Sequence, residues 1–162
     1  TSLAVGASLS FSSLISSASA QDVEFNGTVG GGSGGNCSIV VLNDGTLRAN
    51  AGKTLMTSRI AGAVSGLARV TNTSFARVSA PMYLITWNTP PDDTSYSDVR
   101  AYISGTSVSG DGTNHPELDG NSGFNLSHTG GVTDVTVNLE GRKYFGNFSD
   151  GLYSGTVVLL CS

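Results

Sequence analysis

The sequence predicts an all-β sandwich, and three observations carry that prediction. Apolar residues recur at alternate positions in short runs, the period of a half-buried strand. Clusters of Gly, Asn, Asp and Pro separate those runs at intervals suited to packed sheets. No segment holds a helical period. The nearest, residues 52–67, is interrupted by Gly52, Gly62 and Gly66 and weakened further by Thr54, Thr57 and Ser58.

Taken in order, residues 1–20 read as a targeting segment, truncated at its N-terminus, and are set apart from the fold. An apolar, small-residue run from Leu3 to Ile15 leads into Ala18-Ser19-Ala20, the small-x-small pattern of a signal-peptidase site. Ser8, Ser10, Ser12 and Ser13 break the run, whereas a membrane span needs about 20 apolar residues. The exported chain would begin at Gln21, and no later segment is apolar enough to span a membrane. Residues 21–36 then form an N-terminal strand and a tether. Val23, Phe25, Gly27 and Val29 alternate with Glu24, Asn26 and Thr28, and residues 30–35 contain only Gly and Ser, a flexible composition.

The sandwich domain is expected over residues 37–162. Residues 38–42 are a short apolar run halted by Asn43-Asp44-Gly45, with Cys37, Ile39 and Val41 on one face. Residues 54–58 form a short strand. Residues 66–71 and 75–80 flank Asn72-Thr73-Ser74 and read as a hairpin. Residues 82–87 are strongly apolar and stop at Asn88-Thr89-Pro90-Pro91. Val99, Ala101 and Ile103 share a face, as do Val135, Val137 and Leu139. The last strand, residues 152–161, sets Tyr153, Val157, Leu159 and Cys161 together. Residues 105–122, rich in Gly, Asp and Asn, read as a long loop.

Composition narrows the function. The net charge is −4, and the eight basic residues are scattered, so the clustered Lys and Arg that hold nucleic acid are absent. The two cysteines, Cys37 and Cys161, are most simply one disulfide in an exported protein. No Gly-x-Ser-x-Gly elbow accompanies His115 or His128, and no residue is assigned a catalytic, cofactor-binding or metal-binding role. Asp111, Glu117, Asp119 and Asn121 make residues 111–121 oxygen-rich, but Asp-Gly is first a turn former and the spacing does not match a calcium loop. Trp87 and the cluster Tyr144, Phe145 and Phe148 are the aromatics that would stack on a sugar if exposed; buried, they are core.

Both ends of the chain resemble the fimbrial subunits of the chaperone–usher family. Those subunits open with an alternating strand containing Phe-x-Gly, have a Cys soon after, and end in a strand of the type Gly-x-Tyr-x-x-x-Val-x-Leu. Val23, Phe25, Gly27, Val29 and Cys37 match at the start, and Gly151, Tyr153, Val157 and Leu159 match at the end. The resemblance implies an immunoglobulin-like, Greek-key β-sandwich that lacks its final strand. It also implies an exported structural or adhesive subunit at the cell surface, rather than an enzyme. Its partners would be like subunits, other surface proteins or a periplasmic chaperone, joined by strand exchange. Residues 22–29 are then either a strand of their own sheet or a strand donated to a neighbour. The other class of function is a secreted carbohydrate-binding module.

Overall fold

The computed structural model describes residues 5–15, 20–22, 36–89, 91, 93 and 98–162. They form two β-sheets packed face to face, as the alternating pattern predicts. In sheet I, β14 (Gly151–Cys161) lies between β1 (Val5–Ile15) on one edge and β8 (Arg77–Ser79) and β9 (Thr86–Asn88) on the other. Beyond β1 lie β2 (Ala20–Asp22) and β4 (Gly45–Thr46), and beyond β8 lies β12 (Phe124–Asn125). In sheet II, β13 (Gly131–Arg142) pairs along one edge with β10 (Asp98–Gly110), which carries β11 (His115–Asp119) outside it. The other edge of β13 is shared by β7 (Gly66–Asn72) and β6 (Leu55–Thr57), backed by β3 (Cys37–Asn43) and β5 (Arg48–Ala49). Every pairing is antiparallel except β1 with β4.

The core is one cluster fed by both sheets. Val135, Val137 and Leu139 of β13 are fully buried, and so are Tyr153, Val157 and Leu159 of β14. Val99, Ala101 and Ile103 of β10 and Ile39 of β3 complete the predicted inward faces. Cys37 and Cys161 are bonded across the two sheets, with Cα atoms 6.2 Å apart. The Trp87 ring lies between the sheets where two glycines make room for it. A Cβ on Gly141 would stand 2.8 Å from Trp87 Cζ2, and one on Gly155 would stand 2.4 Å from Leu139 Cδ2.

Four expectations change. Residues 1–20 were expected outside the fold, yet β1 is a full strand of sheet I. Its pattern accounts for this: Val5, Ala7, Leu9 and Phe11 alternate with Gly6, Ser8, Ser10 and Ser12, so the serines that interrupt an apolar run are also the polar phase of a strand. Residues 66–71 and 75–80 are not a hairpin, because β7 belongs to sheet II and β8 to sheet I. The corner between them is held by Asn72, whose side-chain amide donates to the carbonyls of Ser74 and Ser127, both at 2.8 Å. The Asn43-Asp44-Gly45 signal stops β3 as expected, and there the chain crosses from sheet II to β4 in sheet I. Finally, residues 105–122 are mostly strand. β10 runs on to Gly110, turns, and returns as β11, with Gly110 at φ 61° in the turn. Residues 82–84 wind into one 3-10 turn before β9.

Gly141→Ala should overpack Trp87 and destabilise the fold by about 1–3 kcal/mol. Urea unfolding followed by Trp87 fluorescence measures it; an unchanged midpoint would mean that the sheets separate freely at this point.

Candidate functional site

The feature that sets this sandwich apart is the edge of β14 that β1 covers. All eleven residues of β1 pair with β14, from Val5 opposite Cys161 to Ile15 opposite Gly151. On its far edge β1 pairs with β4 through Phe11 and Ser12, and with β2 through Ser13, Leu14 and Ile15. β1 thus fills a slot between β14 and β4, one strand wide. The slot exists because the chain from Cys37 to Thr46 starts in sheet II and finishes in sheet I, reaching no farther than β1. Leu9 is fully buried and belongs to the core, facing the phase of β14 that carries Tyr153, Val157, Leu159 and Cys161. Emptied, the slot would expose the backbone N–H and C=O groups along one edge of β14 and open the core where Leu9 sits.

One end of the slot is anchored by a buried polar cluster. Tyr153, opposite Ser13 in register, is fully buried and donates its hydroxyl proton to Asp93 Oδ2. The Ser149 amide donates to the same oxygen at 3.1 Å, and Lys143 Nζ donates to Asp93 Oδ1. Lys143 also donates to the carbonyl of Asn147 at 3.2 Å and lies 5.3 Å from the centre of the Phe148 ring, which meets Tyr153 edge-on. Burial alone would raise the Asp93 carboxyl, but the bonds from Lys143, Tyr153 and Ser149 outweigh it and hold the group below the usual carboxylate range. Tyr153 is pushed the other way, by burial first and by the Asp93 carboxylate second, and stays protonated. Sequence reasoning missed Asp93 and Lys143 as a pair. The signal was present: Lys143 continues the inward phase of Val135, Val137, Leu139 and Gly141, and an inward lysine needs a buried carboxylate.

The candidate residues do not gather at one place. Val23, Phe25, Gly27 and Val29 lie outside the described residues. Trp87 and Phe148 are buried, while Tyr144 and Phe145 are exposed, at 61% and 91%. The four therefore make no common stacking surface. His115 stacks on Phe124 and His128 on Phe75. The oxygens of residues 111–121 are already engaged. Asp111 accepts from Thr129, Asn114 Oδ1 from the Ser107 amide, and Asn121 Oδ1 from the Met82 amide. Among the described residues no group of three His, Cys, Asp or Glu is placed to hold a metal ion.

Such a geometry defines a class: a disulfide-bridged β-sandwich whose last strand is completed by a segment from the opposite end of the chain. Compared with protein-family models, curated proteins and solved structures, the chain matches none.

Leu9→Ala in the chain of residues 1–162 should cost about 2–5 kcal/mol of unfolding free energy, as for other buried leucines. Equilibrium urea unfolding checks it, and a loss under half a kilocalorie per mole would mean that the slot does not depend on its occupant. For Asp93 the folded carboxyl binds its proton less tightly than the unfolded one. Its stabilising contribution is complete above the ordinary value of about 4 and is lost as pH falls through the folded value. Asp93→Asn should flatten that acid limb in thermal melts and, by leaving Lys143 buried without a counter-charge, cost about 3–5 kcal/mol at neutral pH.

Proposed function

We propose that this chain is an exported structural or adhesive subunit that joins like subunits or other surface proteins by β-strand exchange. One observation carries the reading: the strand that completes sheet I is the segment that precedes the cleavage pattern Ala18-Ser19-Ala20. If export removes residues 1–20, the slot between β14 and β4 loses its occupant. The edge of β14 and the site of Leu9 then need another strand. An alternating segment from a neighbouring chain would supply main-chain bonds along the edge, as β1 does, and a side chain at the site of Leu9. Residues 23–29 have that form. Val23, Phe25, Gly27 and Val29 stand in for the alternating set Val5, Ala7, Leu9 and Phe11, and the Gly-Ser stretch behind them gives the reach to leave their own domain.

The disulfide fits an oxidising compartment outside the cytoplasm. The carbohydrate-binding alternative loses Trp87 and Phe148 as stacking groups, because both are core.

The test is the assembly state of residues 21–162 by size-exclusion chromatography with light scattering. We expect oligomers that a synthetic peptide of residues 5–15 converts to monomers by filling the slot. We expect none from a chain that also lacks residues 22–29. A stable monomer indifferent to the peptide would overturn the reading, as would assembly that survives deletion of residues 22–29.

A further inference from the structure

The outer face of sheet II carries a feature unrelated to the slot. Inward residues of β10 and β13 occupy odd positions, so even positions face outward. Two matching triplets stand there: Asp98, Arg100 and Tyr102 on β10, and Glu140, Arg142 and Tyr144 on and just after β13. Both read acidic-x-Arg-x-Tyr. The strands are antiparallel, with Asp98 opposite Arg142 and Arg100 opposite Glu140. Two copies of one pattern therefore meet head to tail, as a chequerboard of four charges with a tyrosine toward either end. These six residues line a pocket of about 220 Å³.

We propose that this pocket binds a neutral saccharide, one pyranose ring of a surface glycan. Charge decides the class first. Two carboxylates and two guanidinium groups cancel, and each is already paired: Arg100 with Asp98 at 2.7 Å, Arg142 with Glu140 at 3.1 Å. An anion or a cation would have to compete with those pairs. A polyhydroxylated ring would not, because each hydroxyl both donates and accepts. The guanidinium groups have five N–H donors each and are half exposed, so donors remain beyond the ion pairs. The neighbouring carboxylates accept. Vicinal hydroxyls suit such an alternation of donor and acceptor.

Shape agrees. Tyrosine rings form two parts of the lining, and a ring offers the apolar face against which the C–H side of a sugar packs. Tyr102 is held in place from beside the pocket. The Arg59 guanidinium lies 3.8 Å from its ring centre, Glu117 holds Arg59 at 3.0 Å, and Asn138 donates to Glu117 at 2.7 Å. Tyr144 is the exposed wall. The volume is below the several hundred Å³ typical of drug-sized ligands and matches about one ring, with the rest of a glycan free to extend into solvent.

The experiment is a titration of the ¹⁵N-labelled chain with methyl α-D-mannopyranoside, methyl β-D-galactopyranoside and methyl α-L-fucopyranoside, followed by amide shifts. N-acetylneuraminic acid and inorganic phosphate serve as the anionic comparators. We expect at least one neutral glycoside to give saturable shifts centred on Arg100, Tyr102, Arg142 and Tyr144. The dissociation constant should be of the order of 1 mM, as suits a small ligand bound on one face. Tyr144→Ala should weaken that binding at least ~10-fold, the loss of one stacking contact of about 1.4 kcal/mol. Tyr144→Phe should retain it. Tyr144 is exposed, so both variants should keep the parent spectrum away from the pocket. No saturable shift with any of the three glycosides overturns the proposal. So does a stronger response to either anion, or binding that Tyr144→Ala leaves unchanged.

Discussion

A long strand in the middle of a sheet must be hydrogen-bonded on both edges, and the whole architecture turns on how β14 meets that requirement. On one side β8 and β9 divide the work, each covering a few residues. On the other side no described strand after β1 pairs with β14, and β1 covers it from end to end. The inward face of β14 forms much of the core floor, so its backbone and its side chains share one dependence. The edge cannot be left open without also disturbing the packing around Val157 and Leu159.

The polar cluster around Asp93 belongs to the same constraint. Tyr153 lies in β14 opposite Ser13, one of the β1 residues that pair with β2 on the far side, and its hydroxyl is bound to a carboxylate from the segment before β10. Lys143 ties in the end of β13. Asp93 therefore meets Lys143 and Tyr153, 50 and 60 positions later in sequence, beneath the start of β14. A buried ion pair adds little net stability, but removing one partner is costly. Its effect is to fix where those segments lie relative to the strand.

Much of this was legible in the sequence because a strand with one buried face writes itself in alternate residues. Val135, Val137 and Leu139, or Tyr153, Val157 and Leu159, announce their face without any knowledge of partners. What alternation cannot give is which sheet a strand joins. The Asn72-Thr73-Ser74 and Asn43-Asp44-Gly45 signals both mark breaks, but the hairpin expected at the first is a sheet crossing, since Asn and Ser permit a crossing as readily as a reversal. β1 was hidden for a related reason: a small-residue apolar run has the composition of a targeting segment and the period of a strand at once. The pocket on sheet II lay in outward positions, where charged residues look like ordinary solvated surface until two strands are set side by side. The Asp93–Lys143 pair needed phase counting carried one residue past the end of β13.

The disulfide has a consequence for load. Cys37 opens β3 and Cys161 closes β14, so the two sulfurs bracket nearly every described strand. Tension entering the chain ahead of Cys37 and leaving it beyond Cys161 passes through the sulfur–sulfur bond and goes around the segment between, the cysteines being 124 positions apart in sequence. The sandwich itself is mechanically bypassed. Only segments outside the bracket can be drawn out, and β1 and β2 are the described strands that lie there. A pull along the chain would therefore extend the N-terminal segment and shear β1 along β14, while the body of the domain kept its shape.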